Sequence, residues 1–215
     1  MNSIFKVSFF IIVVLILAPA SFAWDPNTHH EIVENNYNAM PSDVQQKLDL
    51  NEMKDGSDDP DLKFFDFKYH GYPNSIIKAN YWLNEGSKHY KTGDYKYASY
   101  CFGVASHYIT DTYSAPHAAN VGGYKHFLYE AEGSFLTPQN TVSATSAIDY
   151  PGENQSDYLS DNLNTILTEG CVDGKDNWNS WIKTNDKAYI QIELNRANAA
   201  SYVLIYRAIS ESCFG

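Results

Sequence analysis

The sequence predicts an all-α fold, a single compact multi-helix bundle, and three observations carry that expectation. Apolar residues recur at helical spacing along most of the chain, while no segment shows strong two-residue alternation. Breakers such as Gly93-Asp94 and Gly122-Gly123 punctuate the periodic stretches rather than interrupting them. No internal repeat or heptad array is present, so neither a solenoid nor a coiled coil is indicated. With 215 residues the chain is long enough for one domain with a sizeable core, or at most two small ones.

Residues 1–23 read as a signal peptide. Lys6 supplies a positive start, Phe9 to Ala18 is an apolar run, and Ser21-Phe22-Ala23 is a small-x-small cleavage site. The apolar run falls short of the roughly 20 residues a bilayer span needs, so cleavage is favoured over a retained anchor. The expected mature domain is 24–215, beginning at Trp24 and secreted. Lys6 is the sole charged residue of the leader, so its removal shifts the formal net charge from −11 to −12. So acidic a chain argues against duplex nucleic acid as a partner, and no obligate protein partner is indicated.

The helices follow in order. Asn27 or Thr28 is a reasonable N-cap for a first helix carrying Ile32, Val33, Tyr37 and Met40. A short second helix begins at Ser42 with Val44 and Leu48, and the turn formers of residues 55–61 then predict a loop. The aromatic run from Phe64 to Pro73 leads to a helix from Ser75 to about Thr92, and another from about Tyr95 to Tyr113. A helix follows Gly122-Gly123, and residues 135–156 read as a polar surface loop with an Asn154-Gln155-Ser156 sequon. Two more helices are expected, from about Ser156 to Glu169 and from about Asn185 to Ser212. The tyrosines at 95, 97, 100 and 108 read as core and core-edge packing. Of the three cysteines, Cys171 and Cys213 are the preferred pair for an export-compatible disulfide, with Cys101 buried.

The chemistry concentrates between Ser106 and Glu130. His107 and Asp111 are four residues apart, as are His126 and Glu130, and His117 follows a proline that should end the first helix. On a helix such spacing stacks both side chains on one face. A single pair of this kind is ordinarily a surface ion pair. Two pairs flanking a third histidine, in a chain with seven histidines, predict a metal site. The imidazole–carboxylate mixture suits zinc better than the all-oxygen preference of calcium or magnesium. Trp24 with His29, the acidic loop at Asp58 and the lone His70 could reach the same metals. A free α-amine at Trp24 would lose its proton to zinc near neutral pH, forming a chelate with its own carbonyl.

These features, in this order, resemble the secreted zinc-dependent phospholipase C family, and more distantly the fungal single-strand-specific nucleases. The match rests on Trp24, His29, the Asp58 loop, His70, His107-x3-Asp111, His117 and His126-x3-Glu130, and covers the whole expected mature chain. The resemblance implies three zinc ions. One would be held by His70, His107 and Asp111, the second by Asp111, Trp24 and His29, the third by His117, His126 and Glu130. Asp58 would orient or deprotonate the attacking water, and Phe67 would match a pocket aromatic. The implied activity is hydrolysis of a phospholipid, releasing diacylglycerol and a phosphorylated head group, with transient membrane-surface contact. Single-strand nuclease or nucleotide phosphodiesterase activity on the same site is the alternative, as is zinc binding without catalysis.

Some assignments stay open. His30 competes with His29 if the helix register differs by one, and Asp55, Asp59 and Asp61 compete with Asp58. His89 reads as a solvated surface residue. Asn27 sits where choline-selective relatives carry an acid, and Asp59 follows Asp58 where they carry an aromatic, which puts choline selectivity in doubt.

Overall fold

A computed structural model describes residues 24–139 and 162–214. The expected leader, most of the polar loop with its sequon, and Tyr158 and Leu159 lie outside the described residues. Helix α1 (Pro26–Ala39) starts one turn earlier than Thr28 would set it, because Asp25 accepts the Thr28 amide at 2.7 Å and Pro26 occupies the first helical position. Short α2 (Ser42–Gln45) follows, then α3 (Leu50–Asp59), capped by the Asp49 carboxylate.

The expected loop at residues 55–61 is instead helical. Helix α3 runs into a π-helical turn (Pro60–Phe64), closed by the Phe65 amide donating to the Pro60 carbonyl at 3.1 Å, with Phe65 at φ 52°. The physical reason lies in Gly56, which reads as a turn former but serves close packing. A Cβ there would sit 2.2 Å from the Tyr100 carbonyl oxygen. A 3-10 turn (Phe67–Tyr69) then leads to α4 (Asn74–Thr92). Gly93, at φ 84°, ends α4 in the left-handed conformation that a helix C-terminus favours.

Helix α5 (Tyr95–Tyr113) is the centre of the molecule, and every residue from Cys101 to Tyr113 is buried. It packs against α1, α3 and α4, and against the two long helices α8 (Leu163–Thr184) and α9 (Ala188–Phe214). A helix enclosed on all sides needs small residues wherever a neighbour comes close. Gly103 is such a place, since a Cβ on it would lie 2.0 Å from the Met53 carbonyl oxygen. Pro116 has no amide to extend α5, and the chain turns into the single-turn α6 (Ala115–Ala118), then α7 (Tyr124–Gly133).

Helix α8 runs well past the expected end at Glu169, because its glycines face packed surfaces. A Cβ on Gly170 would meet the Tyr113 ring at 2.5 Å, and one on Gly174 the Ala118 methyl at 2.7 Å. The core is unusually aromatic: Trp24, Phe102, Tyr108, Tyr113, Tyr129, Trp181 and Tyr202 are all buried. Burying an apolar side chain of such size contributes about 1.5–3 kcal/mol. Cys101 is buried as expected. Cys171, the expected partner of Cys213, is a free thiol whose sulfur points to the Ala118 carbonyl at 3.8 Å, and the Cys213 side chain lies outside the described residues. Among the described residues no helix is long and apolar enough to cross a membrane.

Candidate metal centre

Two helix-spaced pairs and one single-turn helix supply the core of the site. Along α5, His107 Nε2 lies 3.1 Å from Asp111 Oδ2. Along α7, His126 Nε2 contacts Glu130, and His117 on α6 brings its Nε2 to 3.8 Å from Glu130 Oε1. Neighbouring elements add the rest. His29 from α1 approaches Asp111 Oδ1 at 3.3 Å, and His70, following the 3-10 turn, places Nδ1 2.8 Å from Asp111 Oδ2. The five imidazoles form one continuous chain of rings. His29 stacks on His107 at 4.1 Å, His107 meets His70 at 4.8 Å, His70 meets His117 at 6.4 Å, and His117 meets His126 at 5.0 Å.

The surrounding backbone fixes which ring nitrogen faces inward. His107 Nδ1 donates to the Ser57 carbonyl at 2.7 Å, and His126 Nδ1 donates to the Val121 carbonyl at 2.7 Å. Thr110 donates its hydroxyl proton to the His107 carbonyl at 3.1 Å and accepts from His29 Nδ1 at 3.2 Å. In all three histidines the outer nitrogen is thus held as a donor, and Nε2 is left to act as a ligand. The contact between α3 and α5 matters here, since it delivers the Ser57 carbonyl to His107.

Asp61 is the residue that spacing did not single out. Its Oδ1 lies 3.6 Å from His70 Nδ1 and 3.9 Å from His107 Nε2. Asp58, expected at the cluster, instead has Oδ1 3.0 Å from His30 Nε2, on a partly exposed pair. The π-helical turn accounts for the change of aim: its wider winding carries the side chain after Pro60 inward, and a loop reading could not anticipate it. His29, not His30, is the member of the pair buried against the cluster. His89 stays outside, 3.0 Å from Asp94. Trp24 is buried, with its indole Nε1 donating to the Thr110 carbonyl at 3.0 Å and its ring close to Gly133 and Tyr129. Its side chain is therefore anchored beside the residue that orients His29. Phe67 is exposed at the rim, its ring 5.5 Å from that of His70.

Burial sets the electrostatics. It pushes His29 down to about 4 and His117 down to about 3, so both are neutral imidazoles near pH 7. Burial raises Asp61 and Glu130 to about 7. His107 moves the other way: burial opposes its charge, but Asp111 outweighs burial and raises it to about 9. For Asp111, burial is likewise outweighed by the three imidazoles, which hold it well below the usual carboxylate range.

The donor set fits zinc. His29 Nε2, His117 Nε2, Asp61 Oδ1 and both Asp111 oxygens are buried without a hydrogen-bond partner. Leaving several such atoms unmatched is costly, about 1–3 kcal/mol each, unless a cation completes them. Three groups of ligand atoms lie mutually within 4.8 Å: His29, Asp61 and His107; His70, His107 and Asp111; and His117, His126 and Glu130.

Comparison with known proteins places this geometry in a family. The profile described as zinc dependent phospholipase C matches residues 28–196. The chain belongs to that family. Among solved structures, the alpha-toxin of Clostridium perfringens from avian strain SWCP superposes with a TM-score of 0.68 at 17% identity, covering 87% of this chain. The alpha toxin of Clostridium absonum gives 0.64 at 16% identity, covering 86%. The chain spans 64% and 63% of those two toxins, less than two thirds of their length. No curated protein matches it. At this identity the likeness to the two toxins shows a shared fold.

Proposed function

We propose that this chain is a zinc-dependent phosphodiester hydrolase of the phospholipase C kind, releasing diacylglycerol and a phosphorylated head group. The observation that carries the reading is the unbroken chain of five imidazoles, threaded by Asp61, Asp111 and Glu130. Asp111 would serve the ions on both sides, because its two oxygens face different histidines, His29 on one side and His70 with His107 on the other. His117, His126 and Glu130 would hold the third ion. The amine and carbonyl of Trp24 would complete the His29 side if residues 1–23 are removed on export. Bound zinc supplies Lewis acidity and offsets the charge of an anionic diester.

The chain's own groups position and protonate. Ser57, Thr110 and Val121 hold the imidazoles against rotation, so the inward nitrogens need no reorganisation when substrate arrives. Water adds to phosphorus, the bond from phosphorus to the glycerol oxygen breaks, and that oxygen takes up a proton. We assign the carboxylate that handles the water's proton to Asp61, because Asp58 is engaged with His30. Exposed Leu62 and Phe65, on the turn that carries Asp61, are suited to brushing a lipid surface.

The test is a zinc count on protein with an authentic Trp24 terminus, together with turnover on a panel of phospholipids and chromogenic diesters. Three zinc ions and chelator-sensitive release of a phosphorylated head group are expected, with both diminished in Asp111→Asn. Zinc-loaded protein that leaves every diester intact would contradict the hydrolase reading. One residue added before Trp24 should cost one zinc.

A further inference from the structure

A cleft of about 610 Å³ opens beside the third ligand group and shares His117 and His126 with it. Its walls come from the 3-10 turn, the stretch around α6 and the middle of α8, and include Phe67, Lys68, Tyr72 and Lys175. No carboxylate lines it among the described residues. In a chain of net charge −11 that is a notable local reversal.

The two lysines differ from five others in this protein. Lys54, Lys63, Lys78, Lys88 and Lys96 each pair with a carboxylate. Lys68 and Lys175 have no carboxylate partner among the described residues. Lys68 lies over the Tyr69 ring, 4.7 Å from its centroid, which steadies its stem and leaves the ammonium uncompensated. Lys175 faces the weakly polar Cys171 thiol, which burial pushes up and so keeps neutral. A quaternary ammonium would find aromatic faces in Phe67 and Tyr72 but would have to sit between two like charges, with no acid to offset them.

Resting on the hydrolase reading, we propose that this cleft receives the head group and selects one bearing a second anion. A carboxylate or a second phosphate would be bound by Lys68 and Lys175, while the reacting phosphate lies toward His117 and His126. The selectivity is for anionic over choline head groups. Two charge-assisted contacts of this type support a preference of roughly tenfold or more.

The experiment uses the zinc-loaded chain and two soluble short-chain substrates, dihexanoyl phosphatidylserine and dihexanoyl phosphatidylcholine, below their micelle concentrations. Monomeric substrates exclude general attraction of lysines to an anionic surface. The serine-to-choline ratio of kcat/KM should be roughly tenfold or more, and should fall by about that factor in the double variant Lys68→Gln, Lys175→Gln. Lys91→Gln, on the distant end of α4, should leave it unchanged. In parallel, calorimetry with phosphoserine and phosphocholine reads the cleft without turnover. Phosphoserine should bind more tightly, and the double variant should erase the difference. Equal or tighter phosphocholine binding, or a serine-to-choline ratio indifferent to both lysines, overturns the proposal. Lysine-dependent phosphoserine binding without hydrolysis of either lipid would sink the hydrolase reading alone, and hydrolysis that favours choline would sink the head-group assignment alone.

Discussion

Asp61 and Asp58 lie three residues apart, yet their carboxylates keep different company. One is buried between His70 and His107, the other is partly exposed against His30. If proximity to the cluster decides the role, Asp61→Asn should lower kcat by about 10²–10⁴-fold, and Asp58→Asn by far less than that range. Steady-state kinetics on a chromogenic diester check it, and equal losses in the two variants would remove the distinction. A second buried acid stands apart from the imidazole cluster. Glu193 contacts Asn177, has Arg196 and Asp173 near it, and leaves Oε2 without a hydrogen bond. Burial, only partly offset by Arg196 and Asn177, raises it to about 8. Its folded pKa thus exceeds its unfolded one, so the folded state retains a proton that the unfolded state loses. Stability should therefore fall as pH climbs from the ordinary glutamate range toward about 8, then level off. Glu193→Gln should remove that slope, at most about 1.4 kcal/mol per pH unit, in denaturation curves across pH 5 to 9. The two His–carboxylate pairs, His107 with Asp111 and His126 with Glu130, were legible in the sequence because i, i+4 spacing survives any tertiary arrangement. Asp61 was legible only as one of the acids competing with Asp58, because its aim depends on a π-helical turn that no local pattern announces.

At the scale of elements, the contact between α3 and α5 couples packing to chemistry. Gly56 and Gly103 let the two backbones meet, and that contact carries the Ser57 carbonyl to His107. Gly103→Ala places a methyl against the rigid Met53 carbonyl, so it should cost about 3 kcal/mol or more and lower zinc content as well. Gly93→Ala is the comparison. It meets open space but requires a left-handed backbone, so it should destabilise by about 1 kcal/mol and leave the zinc content intact. Denaturant unfolding together with zinc analysis separates the two, and normal zinc in Gly103→Ala would break the link. The same glycines explain where the sequence misleads. Helical periodicity located α4 and α5 closely, and the start of α7, because breakers stand there. Gly56, Gly170 and Gly174 look like breakers too, but they lie inside helices where another backbone, ring or methyl group leaves no room for a side chain. That distinction depends on neighbours far away in the chain.

For the whole molecule, the site acts as a joint between elements spread over residues 29–130 of the described chain. His29 comes from α1, Asp61 from the π turn, His70 from the segment before α4, His107 and Asp111 from α5, and His126 and Glu130 from α7. Without cations these groups are held by imidazole–carboxylate contacts, and several buried atoms remain unmatched. A cation that binds the folded state and not the unfolded one stabilises the fold by mass action, about 4 kcal/mol at a thousandfold excess over its Kd. For a domain of this size each kcal/mol corresponds to roughly 2–4 °C, so chelation should lower Tm by about 10 °C. The loss should be graded across the molecule. Amides of α1 and α7, which bound cations would tie to the rest, should exchange faster after chelation. Those of α5, enclosed by helices on every side, should change least. Calorimetry and hydrogen exchange with and without chelator measure both effects. A Tm indifferent to zinc would mean that the imidazole–carboxylate contacts alone hold these helices together, and that the unmatched atoms impose no strain a metal relieves.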